Sequence, residues 1–135
     1  MRFRLPSILI GVAFASASGA CAESAQLVQR REAGYQVQLA AYTAALKPGT
    51  TRTEVEAYLR TNGKEFHQTC CMGKWKNAYD DLTKIGQERH PWYCSAHTVY
   101  IGFEFVSGGS HEFPEAHDSD TLKGIQIYHR LEGCL

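Results

Sequence analysis

Neither sign of charge dominates this chain: 14 lysines and arginines stand against 14 aspartates and glutamates over 135 residues. A protein that binds nucleic acid needs a basic face to neutralise phosphates, so the balance argues against that class of partner. It equally supplies no polybasic stretch for an anionic lipid surface. Long apolar runs are missing as well. The longest, Leu5 to Ala15, covers about half of the roughly 20 residues that cross a bilayer, so no membrane-spanning helix is expected. No CxxC pair and no HxxxH spacing occurs, which removes the usual ligand patterns of zinc modules. Internal repeats and low-complexity segments are also absent.

What is present begins with an address. Arg2 and Arg4 precede the apolar run, and small residues follow from Ser16 to Ala22. That order of charge, apolar core and small residues is the pattern of a secretory signal peptide. Ala20-Cys21-Ala22 forms an A-x-A site, and cleavage there makes 1–22 a signal peptide and 23–135 the mature chain. The competing reading is a lipobox at Ser18-Gly19-Ala20-Cys21, whose Cys21 would be acylated. Ser18 occupies the place where a lipobox usually has leucine, so soluble release to the periplasm or medium is the expectation. An outer-membrane lipoprotein is the alternative, and membrane attachment is expected only if Cys21 carries lipid. The 113 remaining residues hold 12 basic and 14 acidic side chains and suit one modest domain.

Four cysteines remain after Cys21: Cys70, Cys71, Cys94 and Cys134. An even number in an exported chain points to two disulfides. A bridge between adjacent residues rarely reaches ordinary disulfide geometry. The expected pairings therefore join one of Cys70 and Cys71 to Cys94 and the other to Cys134.

Periodicity predicts a helix over 25–46, with Val28, Tyr35, Leu39, Tyr42 and Leu46 on one face. Lys47-Pro48-Gly49 stops it. A second helix follows, opened by a Thr51/Glu54 capping box, striped by Val55, Tyr58 and Leu59, and closed at Asn62-Gly63. Strands are expected at 64–70, 97–106 and 124–131, the last two by clear alternation. Met72 to Pro91 reads as a long insertion holding a short helix near 78–85. The fold expected is one α+β domain: two N-terminal helices on a three-stranded antiparallel sheet, with a long loop between strands 1 and 2. Such a meander would gather all four cysteines at one sheet edge.

The stretch from Leu46 to Leu59 resembles the opening of small periplasmic domains of the SmpA/OmlA (BamE) and β-lactamase-inhibitor-like type. Those begin with a Gly-Met-Thr-x-x-x-Val-x-x-x-Leu turn and helix and continue into an antiparallel sheet. Gly49, Thr51, Val55 and Leu59 match the pattern, while Thr50 stands where methionine is usual. The resemblance implies a binding or assembly module with a protein partner in the cell envelope, without enzymatic activity.

The remaining chemistry is sparse. Cys70, Cys71, Cys94 and Cys134 with His90 or His97 lack zinc-ligand spacing, and a Cys94–histidine nucleophile pair would need a free thiol. A thiol enzyme or zinc protein built on Cys94 and nearby histidines is thus the secondary expectation. No catalytic residue, metal or cofactor is assigned. His117-Asp118-Ser119-Asp120 reads as a turn before the last strand, and His129 as a core or edge residue sharing a face with Ile127 and Leu131. Trp75, Tyr79, Trp92 and Tyr93 in or beside the long insertion are expected either to cover the sheet or, where the loop exposes them, to form a protein-binding surface.

Overall fold

A computed structural model describes residues 23–73, 77–109 and 113–135. Residues 1–22, expected as a signal peptide and holding Cys21, and Trp75 lie outside the described residues. The order is α1 (Ala25–Ala45), α2 (Arg52–Thr61), β1 (His67–Thr69), β2 (Asp80–Glu88), β3 (Ala96–Val106) and β4 (Thr121–Glu132). The four strands form one antiparallel sheet in sequence order. The α+β class is as expected, with four strands instead of three. Among the described residues no helix is long and apolar enough to cross a membrane.

Both helices start where their caps require. Ser24 accepts from the Leu27 amide at the head of α1. At α2, Thr51 and Glu54 exchange both bonds of the capping box, and the Thr51 amide and hydroxyl hold the Glu54 carboxyl below its usual value. Gly63, at φ +63°, takes the left-handed step that ends α2 at little cost, because it lacks a Cβ. The two helices are held unequally. Val55 and Leu59 of α2 are fully buried, whereas α1 buries only Tyr35 and Tyr42 along its 21 residues. Val28, expected on the packed face, is 43% exposed.

Tyr42, Leu46, Val55 and Leu59 pack on Ile101, Phe103, Phe105 and Leu122 to form the core. Tyr42 meets Phe103 edge to face, with centroids 5.3 Å apart. The sheet's other face is polar and is also tightly ordered. Glu104 accepts from Tyr128 Oη and from Gln126 Nε2, and Glu132 accepts from Thr98 and Tyr100. Burial and the Glu104 bond raise the Tyr128 hydroxyl above its ordinary value.

The segment expected as a helix near 78–85 is β2, a central strand between β1 and β3. Its composition hides it. Asp80, Asp81, Lys84, Gly86 and Glu88 all belong to types depleted in strands. A register shift between Lys84 and Gly86 then breaks the apolar alternation, as a bulge does.

Inserting β2 also corrects the cysteine geometry. Each antiparallel strand reverses direction, so the end of β1 lies beside the start of β2 and the end of β3. Cys70 and Cys71 follow β1 at that end, while Cys94 and Cys134 lie beside the start of β3 and the end of β4. The expected cross-pairings are therefore not formed. The bridges are Cys70–Cys71 and Cys94–Cys134.

Candidate functional site

At the end where β2 and β4 begin, α2 inserts a cation into the protein. The Gly49 amide donates to Leu122 O, the Leu122 amide to Thr50 O, and the Arg52 amide to Asp120 O, each at 2.8 Å. These bonds lock the first turn of α2 against β4 and aim Arg52 inward. Its guanidinium lies 4.0 Å above the Phe105 ring. It donates to Asp81 at 2.5 Å, to Asp120 at 3.1 and 3.3 Å, and to Tyr79 O at 2.5 Å. Arg52 is 1% exposed, and Asp81 and Asp120 are fully buried.

Asp80, on the opposite face of β2, accepts from the Met72 and Gly73 amides and so anchors the turn that follows the Cys70–Cys71 bridge. One cation thus pairs with two buried carboxylates, and a third, Asp80, is buried on the other side of the strand. Burial, acting against the pull of Arg52, pushes the Asp81 carboxyl up to about 7. The expected turn at His117–Asp120 is present: the Asp120 amide donates to His117 O, and the His117 amide to Asp120 Oδ2. A shallow depression of about 260 Å³ lies nearby, lined by Met72, Gly73, Glu104, Gln126 and Tyr128.

The opposite end, where β2 and β4 finish, is built for contact with water. Pro91 to Cys94 forms a tight turn in which the Cys94 amide donates to Pro91 O. The Cys94–Cys134 bridge ties that turn to the C-terminal tail, as does a bond from the Leu135 amide to Tyr93 O at 2.9 Å. On this pinned turn Trp92 is 89% exposed and stacks edge to face on Tyr93 at 5.8 Å. Leu131 and Leu135 are exposed in the same part of the chain.

Beneath α1, strand register gathers Glu88, His97 and His129. Glu88 pairs with His97 across β2 and β3, and His129 pairs with Val99, two residues along the same face. One Glu88 oxygen, Oε2, lies 3.5 Å from His97 Nδ1 and 3.4 Å from His129 Nδ1. The other oxygen accepts from Arg31 Nε at 3.2 Å, and Arg31 is itself gripped by Glu23. Glu32 stands 3.9 Å from His129 Nε2. His97 Nδ1 also lies 3.3 Å from Arg89 O. The helix approaches this closely because Gly86 has no side chain: a Cβ there would overlap the Tyr35 ring.

The structure therefore divides the expected binding surface. Trp92 and Tyr93 share the exposed turn, whereas Tyr79 lies at the other end, half-buried, with its carbonyl bonded to Arg52. Cys94 is bridged and has no free thiol to pair with a histidine. His97 meets Glu88 and His129 instead of a cysteine. Sequence reading missed Glu88 and His129 because their proximity depends on β2, and missed Arg52 because a basic residue in the first turn of a helix reads as solvent-exposed. His129 does share its face with Leu131 as expected. No family model, curated protein or solved structure matches this chain.

Proposed function

We propose that this chain is an exported, non-enzymatic protein-binding module of the cell envelope, docking a protein partner through the Trp92–Tyr93 turn. The observation that carries the reading is Trp92, held 89% exposed on a turn fixed by a disulfide. Exposing an indole to water is costly unless something covers it, and a rigid aromatic knob loses little entropy on docking. Tryptophan and tyrosine are the side chains that most often anchor protein interfaces. The signal-peptide pattern of residues 1–22 and the resemblance of Gly49 to Leu59 to envelope assembly domains support the same reading.

The test combines fractionation with capture. The chain should appear in the envelope or medium with an intact mass beginning at Glu23. It should also retain one specific envelope protein. Replacing Trp92 with Ala removes an anchor worth about 2 kcal/mol or more, roughly a 30-fold loss of affinity. A cytoplasmic location, or capture that is indifferent to Trp92→Ala, sinks the reading.

A further inference from the structure

We infer that Glu88, His97 and His129 form a binding site for a divalent first-row transition ion of the zinc class. The inference is independent of the docking role proposed for Trp92. Two imidazoles and one carboxylate are a donor set that zinc and its neighbours favour. The ligand atoms of all three residues lie within 4.8 Å of one another.

The spacing is close to what an ion needs. With metal–nitrogen distances of about 2.0–2.1 Å, neighbouring ligands in a tetrahedron lie roughly 3.4 Å apart. The two distances from Glu88 Oε2 to the imidazole nitrogens are 3.5 and 3.4 Å. The two nitrogens are no more than 4.8 Å apart, so bringing them within the same range takes a movement of at most about 1.4 Å, which His129, 38% exposed, can make.

The surroundings fit as well. Arg31 holds Glu88 Oε1 and leaves Oε2 turned towards the imidazoles. The Glu23 carboxylate grips Arg31, which offsets the repulsion its charge exerts on an incoming cation. Glu32, 3.9 Å from His129 Nε2, stands within a small side-chain movement of the place where an outer carboxylate commonly orients a ligating histidine. An ion on His97 Nδ1 would displace any proton that nitrogen shares with Arg89 O, a loss that metal coordination offsets. Three protein ligands leave a fourth position facing solvent, available to water or a donor from outside the chain. Bound there, the ion would cross-link β2, β3 and β4 next to the Trp92 turn.

The experiment is zinc titration of the purified, disulfide-bonded chain, without a histidine tag, by calorimetry and thermal melting. One zinc per chain is expected, with a rise in melting temperature. His97→Ala and His129→Ala should each weaken binding by about tenfold or more. His90→Ala should leave it unchanged, because His90 stands outside the cluster and faces Pro91 O.

Dissociation constants weaker than about 1 mM, or affinity untouched by His129→Ala, overturn the site. Should a variant melt early without metal, the imidazole resonances of the unsubstituted chain decide. Shifts at both His97 and His129 on adding zinc support the site. Either one unmoved overturns it.

Discussion

Where β2 and β4 begin, Arg52 meets Asp81 and Asp120 out of contact with water; where they finish, Glu88 meets His97 and His129 with side chains still 15–38% exposed. Both clusters set carboxylates against nitrogen bases, yet they can do different things. Removal from water makes every unpaired charge expensive, so the first cluster needs all its partners from within the fold. The second can exchange partners with the surroundings, because water compensates whatever the protein leaves unpaired. The covalent links follow the same division. The dry end carries a bridge between neighbours in sequence, and the wet end a bridge that spans the last strands. The buried cluster is closed to outside partners, and the open one is where an outside ligand can enter.

The largest effect separating the two ends should come from Arg52. Replacing it with Met keeps much of the volume over Phe105 but strands Asp81 and Asp120 without their cation. Removing one partner of a buried ion pair costs about 3–5 kcal/mol, which for a domain of this size is a large share of its total stability. Urea denaturation should show the midpoint collapse. His129→Ala at the wet end should move it little, as surface substitutions generally do. Equal losses at the two ends would erase the distinction.

The next effect is read from pH. Burial raises the Asp81 carboxyl from 3.8 to about 7 in the folded chain. Between those values the native state holds a proton that the unfolded state has released, so stability is fully present below about pH 4 and falls as pH rises through 7. At about 1.4 kcal/mol for each pH unit, the loss is at most roughly 4 kcal/mol. Glu132 works in the other direction, since bonds from Thr98 and Tyr100 lower its carboxyl. The informative quantity is therefore the difference between the parent chain and Asp81→Asn, which stays neutral at every pH. The variant's stability relative to the parent should climb from pH 4 to pH 8. Parallel curves for the two chains would show that Asp81 is ionised throughout.

Much of the architecture was legible in the residues, and the failures of topology trace to one strand. The capping box at Thr51 and Glu54, the Asn62-Gly63 stop and the alternation of Val99, Ile101, Phe103 and Phe105 are local signals, and local signals survive folding. β2 offers none. It is stabilised by what its polar residues meet across space, with Asp81 on Arg52, Asp80 on the Met72 amide and Glu88 on Arg31. Arg52 and Arg31 lie 29 and 57 residues from their partners along the chain, beyond any window of periodicity, and the Met72 amide, 8 residues from Asp80, carries no side-chain signal. Missing a single antiparallel strand inverts the direction of everything counted across it, and so the cysteines were assigned to one edge when they occupy two. The open cluster was hidden for the same reason. Glu88 belongs to the unseen strand, and only register brings His97 and His129 to it. Trp92 and Tyr93 stood out as an aromatic pair in a connecting loop, and the structure leaves both exposed.

The two disulfides supply the smallest and most discriminating test. A cross-link stabilises largely by restricting the unfolded chain, and its effect grows with the length of the loop it closes. Cys94–Cys134 joins residues 40 apart, whereas Cys70–Cys71 joins neighbours whose separation the peptide bond already limits. The chain-entropy relation puts the difference between them at about 2–3 kcal/mol. Replacing Cys94 and Cys134 with Ser should lower stability by that much more than replacing Cys70 and Cys71, as measured by denaturant midpoints at fixed pH. The Cys94/Cys134 variant should also free the Trp92 turn, visible as faster amide exchange from Pro91 to Ser95. Suppose instead the Cys70/Cys71 variant proves the costlier. The bridge would then act on the native state by fixing the Met72 and Gly73 amides against Asp80, and the dry end would depend on a covalent support as much as the wet one does.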